Sequence, residues 1–402
     1  MINLPEFIQA HVIFRGKSLF AGDIERYKDE LIRNIQGQSV LVIGGAGSIG
    51  SSFIRAVLPF RPKSLCVVDI NENGLVELTR DLRSTEGMYI PEDYRSYTLD
   101  FADPIFERIF KENGGFDIVA NFSAHKHVRS EKDKYSVQAL LQNNIFKAKK
   151  LLDLLKNMPP RHFFCVSTDK AANPVNVMGA SKKIMEELIF AYSPFFNVTT
   201  ARFANVAFSN GSLLDGWTHR VAKRQPLVAP NDVKRYFVSP EESGQICMLA
   251  CILGRNAEVF FPKLQERQML TFSSICDRYI EALGFEKRQF SSEEEARQFA
   301  STMPKGSKEY PVFYSGSDTT GEKAYEEFYV EGEKLDMDRF QSLGVIEEMK
   351  KSSMEEIDGF CSNLHNLFQQ NDFTKDSIIK EIKKFIPNFK HEEKGKSLDQ
   401  KM

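Results

Sequence analysis

Cysteine is sparse and scattered in this chain of 402 residues: Cys66, Cys165, Cys247, Cys251, Cys276 and Cys361 include only one close pair, spaced i,i+4. A chain of this length needs no disulfide framework, so the pattern predicts reduced thiols and a cytoplasmic location. C-x-x-C pairs, H-E-x-x-H and Cys/His clusters are missing, which argues against a structural zinc or a zinc hydrolase, and no metal is expected. Long apolar runs are missing too. The first residues, MINLPEFIQAHVIFRG, carry no basic leader, and no apolar run of membrane-spanning length follows, so a soluble, unexported protein with no membrane span is expected. Net charge is nearly absent, with 53 Lys and Arg against 55 Asp and Glu, a formal −2. Nothing global recruits nucleic acid or an anionic membrane, so any phosphate must be held locally. Internal repeats and low-complexity tracts are absent as well.

What is present is a globular composition, 42% hydrophobic and 27% charged with a mean hydropathy of −0.34, in a chain long enough for two or three folding units. From residue 39 onward, short apolar runs alternate with amphipathic stretches of helical length. The runs are 39–43, 64–69, 96–100, 116–120, 162–167 and 198–203, and a last one at 257–261. Strands without polar alternation are buried on both faces, and right-handed crossovers between them give an α/β fold with a doubly wound parallel sheet, a Rossmann domain. The expected organisation has four parts. Residues 1–38 form an N-terminal helical extension, with a helix over 23–35 burying Ile24, Tyr27, Leu31 and Ile35. Residues 39–205 form the nucleotide-binding domain, its sheet completed by about 233–262. Residues 206–232 and 263–370 form a smaller substrate-binding region. Residues 371–402 supply a docked helix near 375–385 and a solvated, Lys-rich tail.

The segment Gly44-Gly45-Ala46-Gly47-Ser48-Ile49-Gly50 follows the first apolar run and opens a helix. Its glycines permit a tight turn, close approach of backbone to a pyrophosphate and close helix-to-strand packing, while the helix N-terminus offers free N–H donors through Ser48 and Ile49. Asp69 ends the next run, 19 residues after Gly50, where a ribose diol needs an acceptor. Its carboxylate repels a 2′-phosphate, and Ile70-Asn71-Glu72-Asn73 offers no cation to neutralise one, so NAD is expected over NADP. Asp100, followed by Phe101, is placed to accept from an adenine amino group, and is equally compatible with capping a helix from Ala102.

The fifth run leads into Ser167-Thr168-Asp169-Lys170-Ala171-Ala172-Asn173-Pro174 and Val175-Asn176-Val177-Met178-Gly179-Ala180-Ser181-Lys182. This string resembles the extended short-chain dehydrogenase/reductases, specifically their bacterial polysaccharide-biosynthesis branch of nucleotide-sugar 4,6-dehydratases. The resemblance extends to Ser123-Ala124-His125-Lys126-His127-Val128, to Arg202-Phe203-Ala204-Asn205-Val206, to 235–242 and to 320–327, and covers most of residues 15–335. It departs from the wider superfamily at Met178, which stands where most members carry a proton-accepting tyrosine; a thioether cannot take that proton, while Lys182 is kept. Many relatives also carry N-terminal transmembrane helices that are not seen here, although Phe14-Arg15-Gly16-Lys17 resembles their linker.

The resemblance implies a cycle on a nucleotide-diphospho-N-acetylglucosamine, with UDP expected before GDP. NAD oxidises the C4 hydroxyl, a base removes the acidified C5 hydrogen as the C6 hydroxyl leaves protonated, and hydride returns to C6. It assigns Asp169 as acid and Lys170 as base, with Thr168 near the C4 oxygen or simply a buried strand residue. Ala124 and Lys182 fall to the cofactor. Arg235 and Asn205 fall to the substrate diphosphate, Lys126 and His127 to the cleft mouth, and Glu322 to the nucleoside ribose. A surface ion pair remains open for Arg235, and a structural role for His127. Alternative readings are a UDP-N-acetylhexosamine 4-epimerase and a nucleotide-binding regulator without turnover. The helix 178–192 carries an apolar face of Ile184, Leu188 and Ala191 that packs on the sheet or on a partner subunit, and a homo-oligomer is expected.

Overall fold

The computed structural model describes residues 2–127, 131–316, 325, 327–347, 349 and 351–391. Val128, Glu322 and the tail beyond His391 therefore lie outside the described residues. Six parallel strands come from the six apolar runs: β1 (Ser39–Ile43), β2 (Ser64–Asp69), β3 (Asp93–Thr98), β4 (Ile118–Asn121), β5 (His162–Val166) and β6 (Val198–Ala201). They lie in the order β6-β5-β4-β1-β2-β3, with helices on both sides of the sheet, the doubly wound Rossmann arrangement. The order reverses direction at β1 and β4, and a crevice at such a switch point is where ligands of open α/β sheets bind. β3 begins earlier than the apolar run at 96–100 suggested, because its residues Asp93 and Arg95 form an ion pair at an exposed edge instead of an apolar core.

The sheet continues past β6. Glu258–Pro262 pairs parallel to β6, Leu343–Glu347 pairs antiparallel to it, and Lys334–Asp336 pairs antiparallel to Leu343–Glu347. Residues 334–347, expected in the substrate-binding region, thus belong to the central sheet. Gly344 makes this edge possible, since a Cβ there would lie 2.2 Å from the Phe261 ring. Helix Met354–Phe368 also packs on the Rossmann core, against helix Val177–Ala191. It and helix Lys375–Phe385, which buries Ile378, Ile379 and Ile382, add their apolar side chains to the same core.

A second core gathers under a three-stranded parallel sheet of Glu286–Phe290, Glu309–Ser315 and Leu227–Pro230. Trp217, Tyr279, Ile275 and Phe208 fill it. The N-terminal extension divides between the two cores. Phe7, Ile8, Val12 and Ile13 enter the second, whereas Leu31 and Ile35 are fully buried in the first, each contributing about 1.5–3 kcal/mol of burial. The helix expected over 23–35 is broken at Tyr27 into Ala21–Arg26 and Lys28–Ile35. Buried Asp23 explains its course: its carboxylate accepts the Gln341 and Ser342 N–H groups at 2.6 and 2.8 Å, tying this arm to the sheet edge. Ile24 and Tyr27 remain half-buried, and the Tyr27 hydroxyl donates to the Arg339 carbonyl at 2.7 Å.

Candidate active site

The glycine loop is shaped by contacts that leave no room for side chains. Gly44 has φ +76°, and a Cβ there would lie 2.7 Å from the Ser123 nitrogen at the end of β4. At Gly50 a Cβ would lie 2.3 Å from the Gly44 oxygen, so the helix Ser48–Val57 touches its own loop. Gly47 is the N-cap and contributes no side chain, leaving the first-turn amides from Ser48 to Gly50 without a side-chain partner at the cap. This cradle of backbone N–H groups fits a pyrophosphate. The Asp69 carboxylate ends β2 beside it, accepting the Ala46 N–H at 3.0 Å and the Asn71 N–H at 2.9 Å. Ile70 next to it is 74% exposed.

Asp100 accepts the Ala102 N–H at 2.9 Å and pairs with Lys147. It is not the helix cap: the helix Pro104–Glu112 starts later and is capped by Asp103, which accepts the Ile105 N–H at 2.7 Å. Phe101 is buried in the core.

At the end of β5 the chain leaves Val166 through Ser167 and Thr168 into a short 3₁₀ turn, Asp169–Ala171. Asp169 is 4% exposed, and its Oδ1 accepts both the Thr168 hydroxyl at 2.8 Å and the Lys170 ammonium at 3.0 Å. Acid and base candidates are therefore joined by one hydrogen bond. The helix Val177–Ala191 begins at Asn176, whose side chain accepts the Gly179 N–H at 2.7 Å. Gly179 lets this helix press on the turn, since a Cβ there would lie 2.7 Å from the Lys170 oxygen. Met178 and Lys182 follow on one face, both buried. The Lys182 ammonium donates to the Val166 carbonyl at 2.9 Å, and burial pushes its pKa down. The apolar face Ile184, Leu188 and Ala191 is buried within this chain.

The loop after β4 approaches from the other side. Lys126 donates to the Asn210 carbonyl at 2.9 Å, and Gly211 faces the His127 ring. The Asn210 N–H in turn donates to the Ser48 hydroxyl at 2.8 Å, linking the glycine loop to the Lys126 loop. Asn205 pairs with Phe237 in a two-residue parallel ladder, and its N–H donates to the Tyr236 carbonyl at 3.2 Å, so it stands next to the Arg235 segment. Arg235 is buried, and its guanidinium donates to the Lys234 carbonyl at 2.9 Å.

Two participants were not evident from the sequence. Asn144 sits on a π-helical turn, Gln142–Phe146. Its amide holds the His125 backbone at both N–H and carbonyl, 2.8 and 3.0 Å, and donates to the Ser181 hydroxyl at 3.0 Å. Such turns often mark functional sites, but their register comes from tertiary contacts. Asn210 is the other. Among the described residues no group of His, Cys, Asp and Glu side chains could hold a metal ion, and no helix is long and apolar enough to cross a membrane.

A sheet with this order, with a glycine cradle on its first crossover, defines a doubly wound Rossmann-fold protein. The family model described as "Polysaccharide biosynthesis protein" matches residues 40–348, and the chain belongs to that family. An uncharacterized membrane protein of Methanocaldococcus jannaschii is 28% identical over 77% of this chain and 85% of its own length. The probable polysaccharide biosynthesis protein EpsC of Bacillus subtilis is 25% identical over 77% of this chain, but the match spans only 50% of that relative. The UDP-N-acetylglucosamine 4,6-dehydratase (inverting) of Campylobacter jejuni strain 81-176 is 25% identical over 57% of this chain and 67% of its own. Among solved structures, DesIV, a dTDP-glucose 4,6-dehydratase of Streptomyces venezuelae, has the same fold, with a TM-score of 0.54 at 18% identity over 72% of this chain and 87% of its own.

Proposed function

We propose that this protein is a NAD-dependent 4,6-dehydratase of a nucleotide-diphospho-N-acetylglucosamine, UDP being the expected nucleotide. The observation that carries the reading is the Asp169–Lys170 hydrogen bond of 3.0 Å at the C-terminal end of β5. The relative named a UDP-N-acetylglucosamine 4,6-dehydratase supports it.

Elimination of water across C5–C6 needs a proton donor for the leaving hydroxyl and an acceptor for the C5 hydrogen, held in opposite protonation states. The resting arrangement is an ion pair. One proton moved from the Lys170 ammonium to Asp169 across their hydrogen bond gives the neutral acid and neutral amine that the step requires. Asp169 then protonates the departing C6 oxygen while Lys170 takes the C5 proton. That event restores the starting carboxylate and ammonium; the Lys170 ammonium exchanges its protons with solvent and returns one to C5, and the proton freed when the C4 hydroxyl is oxidised recharges the amine. Thr168, donating to the same Asp169 oxygen, holds the carboxyl in place. NAD, when bound, supplies reversible hydride exchange with the sugar.

Gly44, Gly47, Ser48, Ile49 and Gly50 hold its pyrophosphate in this reading, Asp69 the adenosine ribose, Asp100, Phe101 and Ala124 the flanks of the nucleotide, and Lys182 the nicotinamide side. Met178, unable to accept a proton, fills the position apolarly. Arg235 and Asn205, the latter pairing with Phe237 two residues beyond Arg235, meet the diphosphate in this reading, and Lys126 and His127 line the entrance. Incubation with UDP-N-acetylglucosamine and its GDP analogue should give a product lighter by one water in at least one case. An epimerase would return unchanged mass, and unchanged mass from protein with NAD bound contradicts the proposal.

A further inference from the structure

Behind the Asp169 turn lies an ion pair with no solvent contact. Arg202, just after β6, and Glu186, on the helix of Met178 and Lys182, are both 0% exposed. The guanidinium grips the carboxylate with a fork, Nε to Oε1 at 2.9 Å and Nη2 to Oε2 at 2.7 Å. Burial opposes charge on both groups, yet each holds the other ionised: Arg202 lowers the Glu186 pKa, and Glu186 raises that of Arg202. The remaining bonds of the pair lead outward to specific segments. Ser167, two residues before Asp169, donates to Glu186 Oε1 at 2.6 Å. Arg202 Nη1 donates to the Phe328 carbonyl at 3.1 Å and reaches Glu333 at 3.3 Å. Glu333 accepts the Val330 N–H at 2.8 Å, and Glu327 accepts from Asn173, just past Lys170, at 2.9 Å. Lys183 also lies 3.7 Å from Glu186.

We propose that Arg202 and Glu186 are positioning residues that couple the segment 327–333 to the Asp169–Lys170 pair, so that the segment's seating sets the geometry of the reacting groups. The inference rests on the reading of that pair as acid and base. Apolar side chains of similar volume could supply comparable stability at such a site. They could not join the end of β5, helix Val177–Ala191, the end of β6 and residues 328–333 through one fork of fixed shape.

Arg202→Lys keeps the charge and loses the fork. Glu333→Gln, at the periphery, loosens only the outer contact and serves where the first variant fails to fold. Backbone hydrogen exchange of the NAD-bound protein is read over 165–173 and 327–333, alongside kcat and KM. In Arg202→Lys both segments should exchange faster together, with kcat down by about 10- to 100-fold and KM nearly unchanged. In Glu333→Gln the same joint change should appear at smaller amplitude. Loosening of 327–333 alone, or unchanged protection with unchanged kcat in a folded variant, overturns the coupling. Because exchange is read without turnover, a wild-type protein that dehydrates no nucleotide sugar removes the dehydratase reading while exchange still decides the coupling.

Discussion

Replacing Gly179 by alanine should separate activity from stability at the point where helix Val177–Ala191 meets the Asp169–Ala171 turn. The added Cβ would lie 2.7 Å from the Lys170 oxygen and 3.2 Å from Asn176 Oδ1, against 3.4 Å for ordinary contact. Helix or turn must give by about 0.7 Å, the kind of overpacking that costs roughly 1–3 kcal/mol. Alanine also favours the helix over glycine by about 1 kcal/mol, so the net destabilisation should be at most about 2 kcal/mol and the protein should still fold. The displaced atom, however, is the carbonyl of Lys170 itself. A misplacement approaching 1 Å at a reacting group can cost about 100-fold, so kcat for water loss should fall by roughly 10- to 100-fold. Turnover followed by mass spectrometry at saturating substrate, with thermal unfolding and bound NAD measured on the same sample, tests this. A folded Gly179→Ala protein with wild-type kcat would refute the contact as a determinant of Lys170 placement.

Three further outcomes follow from the same geometry. Gly50→Ala should prevent retention of NAD, read by equilibrium binding, because its Cβ would collide with the Gly44 carbonyl at 2.3 Å. Gly244→Ala should lower stability by about 1–3 kcal/mol or more in denaturant unfolding, since helix Pro240–Leu253 approaches Ser52 so closely that a Cβ would lie 2.1 Å from its carbonyl oxygen. Asp69→Ala should weaken NAD binding by about 1–3 kcal/mol in titration calorimetry, through loss of a charge-assisted acceptor; undiminished affinity would remove Asp69 from the ribose site.

The parts of the fold legible in sequence are those where one physical signal dominates. The runs 39–43, 64–69 and 162–167 are strands buried on both faces, and the glycine loop is marked by spacing that sterics demand. The edges were less legible. Glu286–Phe290 is largely exposed and reads Glu-Lys-Arg-Gln-Phe, with neither an apolar run nor alternation, and Lys334–Asp336 is three residues long. Both are strands because of what they pair with. Asp23 looks like an exposed helix residue until the chain brings Gln341 and Ser342 to it. At the site, the family resemblance pointed to Asp169, Lys170 and Lys182; Asp169 bonds to its chain neighbours Thr168 and Lys170, whereas the contact of Lys182 with the Val166 carbonyl comes from the packing of helix on strand. The cap at Asp103 in place of Asp100, the π-turn at Asn144, the Asn210 bridge and the Arg202–Glu186 fork each join residues far apart in the chain or depend on local backbone geometry that periodicity does not encode.

The most direct measurement follows a nucleotide-linked N-acetylglucosamine in deuterated water with the wild-type protein and with Asp169→Asn and Lys170→Ala, each checked for bound NAD. Wild type should form a product that has lost water and gained deuterium at C5, and both variants should form essentially none. Wild-type rates in either variant, or a wild-type sugar that keeps its water and its C5 hydrogen, would contradict the proposed roles of the two side chains.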